Sequence, residues 1–226
     1  MGANFLLTNL ENIMVQIYKI GRILLNRRLI EIKQLAKGAV LDVGSGGKDY
    51  RWIFDNHTKY LTLEIDKKFA PDIIGSAYDV PLADNSIDTV VCTQVLEHLD
   101  KPAQAMREFY RILKPEGVAI ISAPFFNELH EEPADFFRYT IYGLRKLAEE
   151  AGFQEIKIEP IGGYFALRAQ ILIKYFWLKY LDKPIRLNIL AVWSKFYCRL
   201  MLLLDRLDKS PAKEKFTINY LMIVKK

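Results

Sequence analysis

Ala39-Val40-Leu41-Asp42-Val43-Gly44-Ser45-Gly46-Gly47-Lys48 is the stretch on which the fold turns. Its apolar run is too short for a helix, is of strand length, and stops at glycines. Such a run suits a strand buried on both faces of a parallel sheet. Glycines at its end let the backbone turn tightly and approach a ligand, and a following helix N-terminus would favour negative charge. A dinucleotide fingerprint counted from Gly44 needs a third glycine at position 49, where Asp49 stands. That argues against a nicotinamide cofactor.

Outward from this strand the pattern repeats. Tyr60 to Ile65 reads as a second strand that delivers Glu64, followed by Asp66, about twenty residues after the glycines, where a carboxylate accepts ribose hydroxyls. Ile73-Ile74, Thr89 to Cys92 and Val118 to Ser122 read as further strands. Pro102 to Leu113 has helical periodicity, stopped by the turn signal Lys114-Pro115-Glu116-Gly117. A loop from Phe125 to Tyr139 precedes a helix from Thr140 to Ala151, ended by Gly152. Gln154 to Glu159 and Phe216 to Val224 complete a set of seven strands. Upstream, Leu10, Ile13, Met14, Ile17, Ile20, Ile23 and Leu24 recur at helical spacing. Strands alternating with helices imply an α/β fold with a mostly parallel sheet and helices on both faces. The expectation is one domain over 1–226: an N-terminal helical segment (1–37), a core (38–160), a helical insertion (164–208) and a last strand (216–224).

The 226 residues are 51% apolar and 26% charged, which excludes disorder as a description of the whole chain. Cys92 and Cys198 show no pairing or ligand spacing, so neither a disulfide scaffold nor a metal site is expected. The N-terminus lacks the features of a signal peptide, and Leu6 stands where a myristoylation signal needs Ser or Thr. A cytoplasmic location is expected. Of the net charge of +5, the segment from Tyr164 to Lys209 supplies more than all, with nine basic residues against three acidic ones. A nucleic-acid reading would therefore rest on that segment alone.

Four blocks, VLDVGSGG (40–47), YLTLEID (60–66), SAYDVPLADNSIDTVVCTQVLEHL (76–99) and MREFYRILKPEGVAIISAPF (106–125), stand in a telling order and spacing. Together they resemble the class I S-adenosylmethionine-dependent methyltransferases, in particular the type 11 methyltransferase domain group, over roughly residues 38 to 160. The resemblance implies a Rossmann-like sheet and S-adenosylmethionine as cofactor. It implies that Gly44, Ser45 and Gly46 pass under the methionine part, with Asp42 near its amino group. Glu64 would hold the ribose hydroxyls, and Ser76, Ala77 and Tyr78 would border the adenine. Thr93 and Gln94 would line the methionine side, with His98 nearby. Ser76 stands where the family usually has Asp, which weakens the adenine amino contact or moves it to Asp79. Leu82 and Ile87 replace the usual phenylalanines at core positions.

Methyl transfer to a hydroxyl benefits from a base near neutral pH, and histidine is the natural one. His57 reads as a surface residue, leaving His98 and His130. His130 opens a string, H-x-x-P-x-D-F-F-R-Y-T (130–140), similar to one in a subset of these methyltransferases, several encoded among polysaccharide-biosynthesis enzymes. His130, Asp135, Arg138 and Tyr139 are candidates to bind the acceptor, and His130, His98 and Asp135 to act in catalysis. Alternatively Asp135 and Arg138 pair to brace the loop while Thr140 caps the next helix.

The insertion at 164–208 interleaves Tyr164, Phe165, Tyr175, Phe176, Trp177, Tyr180, Trp193, Phe196 and Tyr197 with lysines and arginines. It suits helices packed as a lid, contact with a membrane surface, or cover for a lipid-linked acceptor. The leading expectation is O-methylation of a sugar or lipid-linked glycan intermediate. A quinone or other small aromatic acceptor is the alternative, and an idle cofactor-binding regulatory module the alternative of another class. RNA methylation is disfavoured, since no Asn-Pro-Pro-Tyr-like tetrad follows the fourth strand. Sheet order and oligomeric state are not read from the sequence.

Overall fold

A computed structural model describes residues 20–47, 49–180 and 184–226. The helical periodicity expected over 9–19 lies outside them. In chain order the elements are α1 (Ile20–Glu31), β1 (Gly38–Val43), β2 (His57–Glu64), β3 (Ile73–Ile74), β4 (Ile87–Thr93), α2 (Pro102–Ile112), β5 (Leu113–Pro124), α3 (Ile141–Ala151), β6 (Gln154–Ile161), α4 (Tyr164–Lys179), α5 (Pro184–Leu207) and β7 (Asn219–Lys225). The seven strands form one sheet in the order β3-β2-β1-β4-β5-β7-β6. β1 runs parallel to β2 and β4, β2 to β3 and β4 to β5, while β5 and β7 are antiparallel. This is the α/β, Rossmann-like class expected.

The central strands are apolar because both faces are covered. Val40, Leu41, Val90, Val91 and Cys92 have no exposed surface. α2 buries Ala105, Met106, Phe109 and Ile112, one stripe at helical spacing, and begins with Pro102, whose missing N–H costs nothing there. The Thr140 side chain caps α3 by accepting from the Gly143 amide, and Gly152 ends it in the left-handed region at φ +99°.

Three boundaries differ from expectation. Lys114 to Gly117 do not separate a helix from a strand; they belong to β5, which starts at Leu113 as soon as α2 ends. The partners of Ile87 and Thr89 on β5 are Leu113 and Val118, so the Pro-Glu-Gly segment is taken up as a bulge with Glu116 at φ +63°. β2 starts at His57 rather than Tyr60 and ends at Glu64 rather than Ile65, with His57 Nδ1 2.6 Å from the Phe54 carbonyl oxygen. β7 starts at Asn219 rather than Phe216, after a 3-10 turn at Pro211–Lys215.

Packing divides the chain into two compact units, one of residues 27–125, 129–159 and 219–226, the other holding 20–26, 126–128 and 160–218 among the described residues. The first contains the core of the sheet. The second contains α4 and α5, around Ala166, Leu167, Ile173, Trp177, Ala191 and Met201. Within it the buried Asp205 accepts from the Ala166 amide at the start of α4, and Gln170 accepts from the Gly21 amide. α5 also shows solvent an apolar stripe, Val192, Phe196, Leu200, Leu203 and Leu207. The spacing of three and four residues puts these on one face.

Candidate cofactor and acceptor sites

Parallel register brings the carboxyl ends of three neighbouring strands together: Val43 pairs with Leu63 on one side and Cys92 on the other. Gly44, Glu64 and Thr93 follow or end those strands at the β1/β4 reversal of strand order, where open α/β sheets bind ligands. Gly44 sits at φ +69°, and a Cβ there would lie 2.5 Å from Val95 Cγ2, so only glycine fits. Gly46, at φ +53°, differs. A Cβ would meet only the Gly44 carbonyl oxygen, at 3.9 Å, so the turn is open on that side.

Glu64 faces this opening. Its Oε2 accepts from the Gly46 amide at 3.1 Å and its Oε1 from the Ile65 amide at 2.8 Å. A carboxylate oxygen accepts more than one hydrogen bond, so capacity for a diol remains. Asp66 is occupied locally: it accepts from the Lys68 amide and pairs with the Lys68 ammonium, which lowers its pKa. The two acids that look alike in sequence thus separate. An open glycine turn opposite a carboxylate with spare acceptor capacity has the chemistry to hold a ligand that carries a diol.

Asp42 is buried beneath the turn, accepting from the Tyr60 hydroxyl at 2.8 Å and the Tyr50 amide at 3.1 Å. Burial and the Asp42 charge push the Tyr60 hydroxyl far above its ordinary pKa. Thr93 donates to the Tyr50 hydroxyl at 2.9 Å. Asp42 and Thr93 therefore share a buried network through Tyr50 and Tyr60, which sequence reasoning missed. Gln94 adopts φ +55°, a conformation costing a non-glycine residue on the order of 1 kcal/mol. Two bonds to Ser122 of β5 hold it: amide to carbonyl at 2.9 Å and side chain to hydroxyl at 3.1 Å.

Ser76, Ala77 and Tyr78 form a tight turn in which Ser76 Oγ accepts from the Tyr78 amide and the Tyr78 hydroxyl donates to Asp100. The adjoining loop is held by Arg111 of α2, which donates to the carbonyls of Val80 and Leu82 and to Asp84 and Glu108. Glu108 completes the brace by accepting from the Val80 amide. Apart from the i,i+3 pair they make with each other, their partners lie 27 to 31 positions away, so no local signal marks them.

A second cluster forms where the 3-10 turn Leu96–His98 meets the loop over 129–140. Asp135, with only 2% of its side chain exposed, accepts two bonds from the Arg138 guanidinium (2.7 and 2.8 Å) and one from the His130 amide. The guanidinium holds its carboxyl well below the usual carboxylate range. The bracing alternative is thus present in the structure, together with the Thr140 cap. Tyr139 is buried and donates to the Leu96 carbonyl oxygen at 2.9 Å. His98 and His130 meet edge to face, with ring centres 4.9 Å apart. Glu97 was not foreseen: it is fully buried, and burial pushes its carboxyl up to about 8.

Residues 41–121 match the family model described as a methyltransferase domain. A probable S-adenosylmethionine-dependent methyltransferase of Mycolicibacterium smegmatis is 37% identical over 86 residues, covering 35% of this chain and 34% of that protein. The demethylmenaquinone methyltransferase of Renibacterium salmoninarum is 35% identical over 91 residues, covering 38% and 36%. The crystal structure of an S-adenosylmethionine-dependent methyltransferase from Archaeoglobus fulgidus superposes with a TM-score of 0.59 at 17% identity, covering 91% of this chain and 94% of that one. Residues 41–121 are thus similar to methyltransferase domains, and the sheet has the fold of a solved S-adenosylmethionine-dependent methyltransferase. It spans about a third of the length of the curated relatives it matches.

Proposed function

We propose that the protein transfers a methyl group from S-adenosylmethionine to an oxygen of a sugar or lipid-linked glycan intermediate. The observation that carries the cofactor half is the open turn at Gly46 facing the Glu64 carboxylate. Glu64 would accept the ribose hydroxyls, Gly44 to Gly46 run under the methionine part, Ser76 to Tyr78 border the adenine, and Thr93 and Gln94 line the methionine side. Asp42 supports the turn from below through Tyr50 and Tyr60. When bound, the cofactor supplies a methyl group already activated by its sulfonium, so the chain mainly aligns the acceptor.

The acceptor half is the loop over 129–140 with His98. His98 Nδ1 lies 2.6 Å from the Ala134 carbonyl oxygen, which places the proton on Nδ1 and the lone pair on Nε2. His130 Nδ1 lies 3.5 Å from both Asp135 Oδ2 and a guanidinium nitrogen of Arg138. Arg138 and Tyr139 shape the same loop. No described helix is long and apolar enough to cross a membrane. The exposed stripe on α5, flanked by Lys195, Arg199 and Arg206, instead favours work at a cytoplasmic membrane surface, where a lipid-linked acceptor resides. A groove of about 400 Å³ in the helical unit, lined by Phe126, Tyr164, Leu167, Ile171 and Phe216 beside Arg168, has the character of a site for an apolar chain. The similarity to a demethylmenaquinone methyltransferase keeps a quinone acceptor as the second reading.

The test uses purified protein, methyl-labelled S-adenosylmethionine and an extract of source cells. Label in lipid-extracted glycan supports the proposal, label in quinones selects the second reading, and absence of transfer with S-adenosylhomocysteine bound identifies a regulatory module.

A further inference from the structure

We propose that Glu97, His98 and His130 form a binding site for one divalent transition-metal cation of the zinc type. One ligand atom from each lies within 4.8 Å of the others. Two imidazoles and a carboxylate suit zinc and its neighbours, whereas magnesium and calcium prefer oxygen donors alone. Tetrahedral donors about 2.1 Å from zinc stand roughly 3.4 Å apart, so the furthest pair must close by about 1.4 Å. Side-chain rotation supplies that, since His130 sits on a loop.

The independent observation is Glu97. It has no exposed surface, and neither of its carboxylate oxygens meets a hydrogen-bond donor. A buried carboxyl without partners is costly, and a cation between it and the imidazoles removes the cost. His98 is prepared to ligate: the Ala134 carbonyl takes the Nδ1 proton, and Nε2 lies 4.0 Å from Glu97 Oε1 and 3.8 Å from Glu131 Oε2. His130 Nδ1 lies 3.5 Å from both Asp135 Oδ2 and a guanidinium nitrogen of Arg138, which puts that edge of the ring on the Asp135–Arg138 side and turns Nε2 the other way. The nearby Arg138 charge is neutralised by two bonds to Asp135. Glu131, largely exposed, stands in reach as a fourth donor or leaves that position open. An open position would take the acceptor oxygen, a consequence that rests on the methyl-transfer reading; cation binding does not.

Untagged, full-length protein, stripped of metal with a chelator, is titrated with zinc by calorimetry. One zinc should bind per chain, uncontested by magnesium. Glu97→Gln and His130→Ala should each weaken binding by a factor of about ten or more. With ¹⁵N-labelled histidine, zinc should shift the Nε2 resonances of His98 and His130 and leave His57 in place, a readout that needs no variant to fold. Glu64→Ala should lose S-adenosylhomocysteine binding and keep zinc, so that failure on the cofactor side is told apart from failure here. Absence of zinc binding, unchanged affinity in both variants, or histidine shifts confined to His57 would overturn the site.

Discussion

The two halves of the candidate site are built by different means. On the cofactor side the backbone does the work: Gly44 and Gly46 at positive φ, and Glu64 held by the amides of Gly46 and Ile65. On the proposed acceptor side a loop takes its shape from side chains, above all the buried Asp135 and its pairing with Arg138. Backbone geometry at a strand end repeats wherever the sheet repeats, so one cofactor can be kept across a family. A loop shaped by charges can be rebuilt by a few substitutions, which suits the acceptor role proposed for it.

The largest expected effect tests the charged half. Asp135→Asn removes the buried carboxylate charge from the Arg138 guanidinium and should destabilise the sheet unit by about 4 kcal/mol at pH 7, read by chemical denaturation. Because Arg138 lowers the folded pKa of Asp135, the pair's contribution is complete above the ordinary value of 3.8 and fades as pH falls through the folded one. The gap between variant and wild type should therefore narrow in acid. A gap independent of pH would show that shape, and not charge, holds the loop.

Gly44→Ala tests the backbone half and should cost about 3 kcal/mol, from the positive φ and the clash with Val95 together. Adding Val95→Ala should restore the part due to the clash and leave the part due to φ. Full restoration would mean that crowding alone demands glycine there. The smallest effect is at the hinge of the acceptor loop. Thr140→Ala removes the cap of α3 and should lower stability by about 1 kcal/mol, with cofactor binding unchanged by calorimetry.

This contrast also explains what could be read beforehand. The glycine turn, Glu64 and the alternation of strands carry local signals of apolar runs, glycines and fixed spacing. Lys114 to Gly117 misled because Pro-Glu-Gly has turn chemistry, and only pairing with β4 and β7 turns it into a bulge. Glu97 gave no sign of burial, since Glu131, Asp135, Phe136 and Arg138, which surround it, come from a loop more than thirty residues on. Tyr50 and Tyr60 became partners of Asp42 and Thr93 only once β1, β2 and β4 were in register. Long-range polar contacts have no period, and hydrophobic patterning is silent about them.

The strand order carries a consequence for how the chain folds. β7 lies between β5 and β6, and β6 has β7 as its one neighbour in the sheet. In chain order β6 precedes α4 and α5 and β7 follows them, so β6 cannot pair with its neighbour until both helices have been synthesised. Insertion of β7 is thus a late, topologically remote event, and such closures are slow and leave an aggregation-prone edge in the meantime.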